Sequence, residues 1–175
     1  MLLLISIPSF LFSAENGEQI LAEGIDDFQR GEYRNAIMSF RELLVNPELS
    51  EHRGDGYYWI ARANRAIGKL SDAEKHLEYF LLNYSNHPRY AEGIYQKGRL
   101  LYLQEDYDKG IQVLQTFIEN YPSSPYRANA FFWLGECLYE LGRLNAATNM
   151  YQTVINEYPT SYRVEAARYR LSLIA

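Results

Sequence analysis

Apolar residues return along this chain at two spacings at once. Within short stretches they fall three and four positions apart, the period of an amphipathic helix. Across the chain the same pattern recurs every 37 residues. Phe40, Leu77, Leu114 and Tyr151 form one column at that step, Leu43, Phe80, Phe117 and Val154 the next, and Leu44, Leu81, Ile118 and Ile155 a third. These columns predict helices over 33–45, 70–83, 107–120 and 144–157. A first helix is predicted before each of them, over 18–30, 55–67, 91–104 and 128–141. The last of these holds Phe131, Leu134, Gly135 and Leu138 at helical spacing. No segment alternates in the manner of a strand.

The punctuation repeats as well. Gly31, Gly68 and Gly142 stand between paired helices, where glycine takes the left-handed conformation that ends a helix cheaply; the third unit carries Glu105 there. Pro47, Pro122 and Pro159 fall where the second helix must stop, and Pro88 and Pro125 are expected in the first turn of the next helix. Ser71 followed by Glu74 reads as a capping box. Small residues form two columns, Gly24, Ala61, Gly98 and Gly135 on the first helices and Ala36, Ala73, Gly110 and Ala147 on the second. Bulk there would hold the two helices of a hairpin apart. After Pro159 the first-helix pattern begins once more, with Arg163, Arg168 and Arg170 expected to supply a polar outer side for a closing helix.

A sustained period of this size predicts a stacked-repeat architecture in which each hairpin touches only its neighbours. The expected fold is all-α, a right-handed α-solenoid of four helical hairpins (17–53, 54–90, 91–127, 128–164) plus a C-terminal capping helix over 162–175.

Composition narrows the function. A net charge of −5 without a basic run argues against nucleic acid. The 16 tyrosines suit half-buried seams or a partner surface. The apolar run from Leu2 to Phe12, ending in Ser13-Ala14, is too short to span a bilayer, which takes roughly 20 apolar residues. It resembles the core of a secretory signal, so 1–14 is expected to be a leader and 15–175 the repeat domain. The expected location is periplasmic or otherwise exported, with the cytoplasm as the alternative if the run is not a signal. No cysteine follows the run, so a lipid-anchored N-terminus is not expected.

With Phe131, Leu134-Gly135, Leu138, Ala147, Tyr151 and Pro159 at their offsets, the fourth unit resembles the tetratricopeptide repeat; Ile94, Gly98, Gly110 and Pro122 carry the likeness in the third. The stretch FIENYPSSPYRANAFFWLGE is similar to the C-terminal repeat domain of the YbgF/CpoB family, periplasmic proteins associated with the Tol-Pal system and with envelope constriction at division. More distantly, the chain is similar to the outer-membrane assembly lipoprotein BamD. The resemblance implies a protein-interaction scaffold.

No catalytic set, phosphate loop or metal-ligand spacing is legible, so no enzyme activity, cofactor, metal or small-molecule substrate is expected. Cys137 reads as a packed, unreactive thiol. The candidate constellation lies on the first helices, where Leu21, Tyr58, Tyr95, Phe132 and Tyr169 make a ladder. One turn on come Ile25, Arg62, Arg99 and Glu136, then Phe28, Arg65, Tyr102 and Tyr139. The family resemblance implies that these offsets line a concave groove. Arg62, Arg65 and Arg99 could then meet carboxylates of a bound peptide or helix. The alternative is that the aromatic ladder packs helix on helix inside the stack. Self-assembly through an exposed terminal repeat, or regulation of an attached domain, are the rival functions.

Overall fold

The computed structural model describes residues 9–174, and side chains from Asn16 onward. Residues 1–8 of the expected leader lie outside the described residues. The chain divides into two compact units between His87 and Pro88.

The first unit holds α1 (Ser9–Gln29), α2 (Tyr33–Val45), a 3-10 helix (Pro47–His52), α3 (Arg53–Ala66) and α4 (Leu70–Asn83). Its core is Ala36, Phe40, Leu43, Leu49, Tyr58, Ile60 and Phe80, each almost wholly buried. Burying a side chain of this size contributes about 1.5–3 kcal/mol, so this row supplies most of the drive for packing the helices. The segment after α2 is a 3-10 helix that Asn46 caps. The Asn46 Oδ1 accepts from the Glu48 backbone N–H at 3.0 Å, and Leu49 plugs the core beneath.

The second unit holds α5 (Tyr90–Leu103), α6 (Tyr107–Asn120), α7 (Arg127–Glu140), α8 (Leu144–Glu157) and α9 (Val164–Ile174). Leu114, Phe117, Tyr151, Val154 and Cys137 fill its centre. The four second helices begin and end where the apolar columns predict. The first helices α3, α5 and α7 begin one or two residues early, and α1 begins at Ser9, inside the stretch read as a leader.

The small columns have the predicted steric role. A Cβ built on Gly98 would lie 2.6 Å from Leu114 Cδ2, and one on Gly135 would lie 2.7 Å from the Tyr151 ring. The large column of each second helix therefore seats into the small column of its first helix. At the turn between paired helices, φ is +81° at Gly31, +77° at Gly68 and +68° at Gly142. Each turn closes with the same pair of bonds, for example Gly68 N–H to Arg65 O at 3.1 Å and Lys69 N–H to Asn64 O at 2.9 Å. Glu105 adopts φ 62° in the same geometry, a strained choice for a residue with a side chain.

Three local expectations are corrected. Ser71 and Glu74 make no capping box: Lys69 is the N-cap of α4 and no side chain caps it. Pro88 and Pro125 stand two residues ahead of α5 and α7, in the turns rather than the first helical turn. Arg163 and Arg170 do not form a polar outer side. Arg163, in the turn before α9, and Arg170, on α9, are half-buried and bond to Asn129 and Glu136 of α7, and Arg168 alone of the three is exposed, paired with Glu165 at 2.9 Å.

Candidate functional site

In the first unit the candidate residues sit on α3. Tyr58 is 0% exposed, its ring 5.5 Å from Phe80 and 5.5 Å from Trp59. It is therefore core, and its ring face is not available to a partner. Its hydroxyl accepts from Arg62 Nη1 at 3.2 Å. The Arg62 guanidinium lies 4.5 Å over Trp59 and 5.0 Å over Phe28. Arg62 thus lids an aromatic layer in which Trp59 also meets Phe28 edge-on and Phe40 face-on. Arg65 is half-buried in the last turn of α3, where the helix dipole favours a cation.

In the second unit the same logic repeats with different partners. Tyr95 is 2% exposed, stacked on Tyr126 at 5.2 Å and close to Phe117. Phe132 is 5% exposed, between Trp133 and Tyr151. The reading of these rings as direct contacts is corrected in the same way as for Tyr58: each is covered by its own hairpin. Arg99 lies 5.8 Å over Tyr95 and 5.1 Å over Trp133. Tyr102 is half-buried against Trp133 at 5.0 Å. Burial, with the Glu136 and Glu140 carboxylates nearby, pushes its phenol up to about 12. Tyr139 lies under Arg170 at 4.9 Å. Tyr169 is 63% exposed on α9, the one ladder member open to solvent.

Glu136 departs from the column of Arg62 and Arg99 by sign, and the structure shows why it can. It is 4% exposed, accepts from the Tyr151 hydroxyl at 2.6 Å and from Arg170 Nε at 2.8 Å, and so ties α7, α8 and α9 together. Burial and this hydrogen bond hold the Tyr151 phenol well above its ordinary range, and the carboxylate does the same for the Arg170 guanidinium. Related staples join a first helix to residues just over thirty positions on. Arg127 donates to Tyr158 Oη at 2.8 Å, Arg163 Nε to Asn129 Oδ1 at 2.9 Å, and His87 lies 3.4 Å from Asp55. Sequence reasoning missed Trp133 and these staples. Their only signal is a complementary pair at a fixed long offset, which one chain alone does not single out.

Among the described residues no group of His, Cys, Asp or Glu is placed to hold a metal, and no helix is long and apolar enough to cross a membrane. What each unit offers by itself is a first-helix guanidinium group laid over aromatic rings, Arg62 in the first and Arg99 in the second.

The sequence model of YfiO, described as "Outer membrane lipoprotein", matches residues 13–130, and a tetratricopeptide-repeat model matches residues 129–161. The chain belongs to the YfiO family. This is the BamD-like family, the more distant of the two envelope resemblances read from the sequence. Among solved structures, the YfiO-family chain is similar to pilF of Pseudomonas aeruginosa (TM-score 0.72, 18% identity, covering 93% of this chain and 76% of that one). It is also similar to MamA (TM-score 0.66, 21% identity, 86% and 81%) and to a putative kinesin light chain with TPR-like repeats from Podosopora anserina (0.67, 15%, 90% and 84%). These likenesses show the fold, an all-helical TPR-like α-solenoid. A curated relative, "Outer dynein arm-docking complex subunit 4" of Danio rerio, is 33% identical over 88 residues, half of this chain; the match spans 17% of that protein. TPR and YfiO domains are protein–protein interaction modules, and the chain is a scaffold of that kind.

Proposed function

We propose that the protein is a non-catalytic adaptor of the bacterial envelope that holds a partner peptide or helix against the exposed side of its first helices. The observation that carries this is the pair of guanidinium groups held over aromatic layers, Arg62 over Trp59 in the first unit and Arg99 over Trp133 in the second, with Arg65 half-buried at the end of α3. Stacking restrains Arg62 and Arg99 at low entropy cost, and the planar guanidinium fork matches the geometry of a carboxylate. Tyr58, Tyr95 and Phe132 act from beneath as positioning residues. Tyr102, Tyr139 and Tyr169 supply the aromatic edges that a partner meets. Membership of an outer membrane lipoprotein family supports an exported location, and the YbgF/CpoB resemblance favours work in the Tol-Pal system or in outer-membrane maintenance.

Photo-crosslinking in living cells tests this. A crosslinker at Ala66 or Glu140, exposed and one turn beyond Arg62 and Glu136, is expected to trap a protein partner. One at Met38 or Glu119 on second helices is not. Equal trapping from both sets overturns the reading.

Self-association is a second reading, favoured by the apolar stripe Tyr162, Tyr169 and Leu173, which are 73%, 63% and 49% exposed. If that stripe joins copies, Tyr169→Lys with Leu173→Glu lowers the mass measured by light scattering. An unchanged mass removes this reading.

A further inference from the structure

The second unit holds a cationic corner around one tryptophan. Trp133 projects from α7, and two guanidinium groups lie 5.1 Å from its ring centroid: Arg99 from α5 and Arg163 from the turn before α9. Both being that close to one point, they are no more than about 10 Å apart. The Tyr162 ring, 73% exposed, flanks Arg163 at 4.9 Å. The Tyr95 phenol beneath senses both cations, which act against the burial that raises its affinity for its proton.

Two like charges around one ring repel unless something offsets them. Two other arginines of this unit have such an offset: Arg170 is met by Glu136 and Arg168 by Glu165. The pair at Trp133 does not have one. Among the described residues Arg99 has a single long bond, from Nη1 to Gln96 Oε1 at 3.5 Å, and its Nε is buried without a partner. Arg163 donates to the neutral Asn129 amide. The acidic residue on this face of α5, Glu92, is engaged by Arg89 at 3.6 Å. In a chain of net charge −5, this leaves a local positive site with aromatic walls, where lowered solvent access strengthens a charge-assisted hydrogen bond.

We propose that Arg99 and Arg163, bracketing Trp133, form the seat for one carboxylate of the partner polypeptide, from an acidic side chain or a free C-terminus. The seat rests on the partner-binding reading above and gives it a chemistry. Each guanidinium presents a planar fork to the carboxylate oxygens, and the Tyr162 ring covers the neighbouring residue of the partner.

Fluorotryptophan labelling tests it, because the chain has two tryptophans and so two fluorine signals, with Trp59 as the internal control. A Trp59→Phe spectrum assigns them. Blocked alanine pentapeptides serve as probes. One has a central glutamate and an amidated end, one a central glutamine and a free terminal carboxylate, one a central glutamine and an amidated end, and one a central lysine.

The Trp133 signal is expected to shift saturably, in the millimolar range or below, with a carboxylate-bearing peptide and at least tenfold more weakly with the glutamine amide. Arg99→Gln and Arg163→Gln should each abolish the preference, and Arg163→Lys should restore part of it. Response to only the first or only the second peptide identifies the source as side chain or terminus. No saturable shift with either, or the same preference in the Arg99→Gln, Arg163→Gln double variant, overturns the seat. Should the native crosslinks at Ala66 or Glu140 persist in that case, the binding face stands without the seat; should they vanish too, both readings fall.

Discussion

Removing Arg170 is expected to be the most costly single change to the second unit that leaves its apolar core untouched. Glu136 is 4% exposed and carries three donors: Tyr151 Oη at 2.6 Å, and Arg170 Nε and Nη2 at 2.8 and 2.5 Å. Arg170→Met keeps the length of the side chain but leaves a buried carboxylate with one neutral donor. Breaking a buried ion pair from one side costs about 3–5 kcal/mol. The Arg170 side chain is itself 24% exposed, so water can reach the gap and the lower end, about 3 kcal/mol, is expected. In the Glu136→Gln, Arg170→Met double variant no charge is stranded, and the glutamine oxygen can still accept from Tyr151. Its loss should be only about 1–1.5 kcal/mol, the size of an ordinary hydrogen bond. Stacking of Arg170 over Tyr139 is lost in both and cancels. Urea titration followed by Trp133 fluorescence, in the same unit, reads the difference as a shift in midpoint at constant slope. A single-variant cost under about 1 kcal/mol, or a double variant no more stable than the single, would refute the stranded-charge argument.

Other consequences follow from particular positions. Glu105→Gly relieves a positive φ worth about 1–2 kcal/mol against about 0.5–1 kcal/mol of added chain entropy, so the melting temperature should rise slightly; a fall would contradict the strain. Gly98→Ala forces a Cβ to 2.6 Å from Leu114 Cγ and should cost about 1–3 kcal/mol in chemical denaturation. Burial pushes the Cys137 thiol up from 9.0 to about 12, so iodoacetamide at about pH 8 should leave the native chain unmodified and label it in urea. In the unfolded chain that thiol loses its proton near 9.0 while the folded one keeps it. The unfolded state then binds fewer protons, and stability should decline as pH rises above about 9. A flat profile in a Cys137→Ala comparison would count against it.

The sequence showed the fold well because the repeat makes every position four observations. Columns such as Phe40, Leu77, Leu114 and Tyr151 placed the second helices to the residue, and the small columns announced where helices approach. It misled where local chemistry was decided by packing. Ser71 and Glu74 have the letters of a capping box, yet the preceding turn closes through the backbone. Tyr58, Tyr95 and Phe132 repeat in register whether they face a groove or a core, since period alone does not carry side-chain direction. Arg163 and Arg170 read as solvent-facing because a closing helix has no successor, but both reach α7, where Glu136, Asn129 and Trp133 receive them.

Affinity for the crosslinked partner, compared between Arg99→Glu and Tyr95→Phe, bears on the main claim more directly than anything else. If stacked cations do the holding and buried rings only position them, charge reversal weakens binding at least tenfold and the conservative ring change alters it less than twofold. Equal weakening by both, or tight binding by Arg99→Glu, would mean that the partner is held by something other than this face.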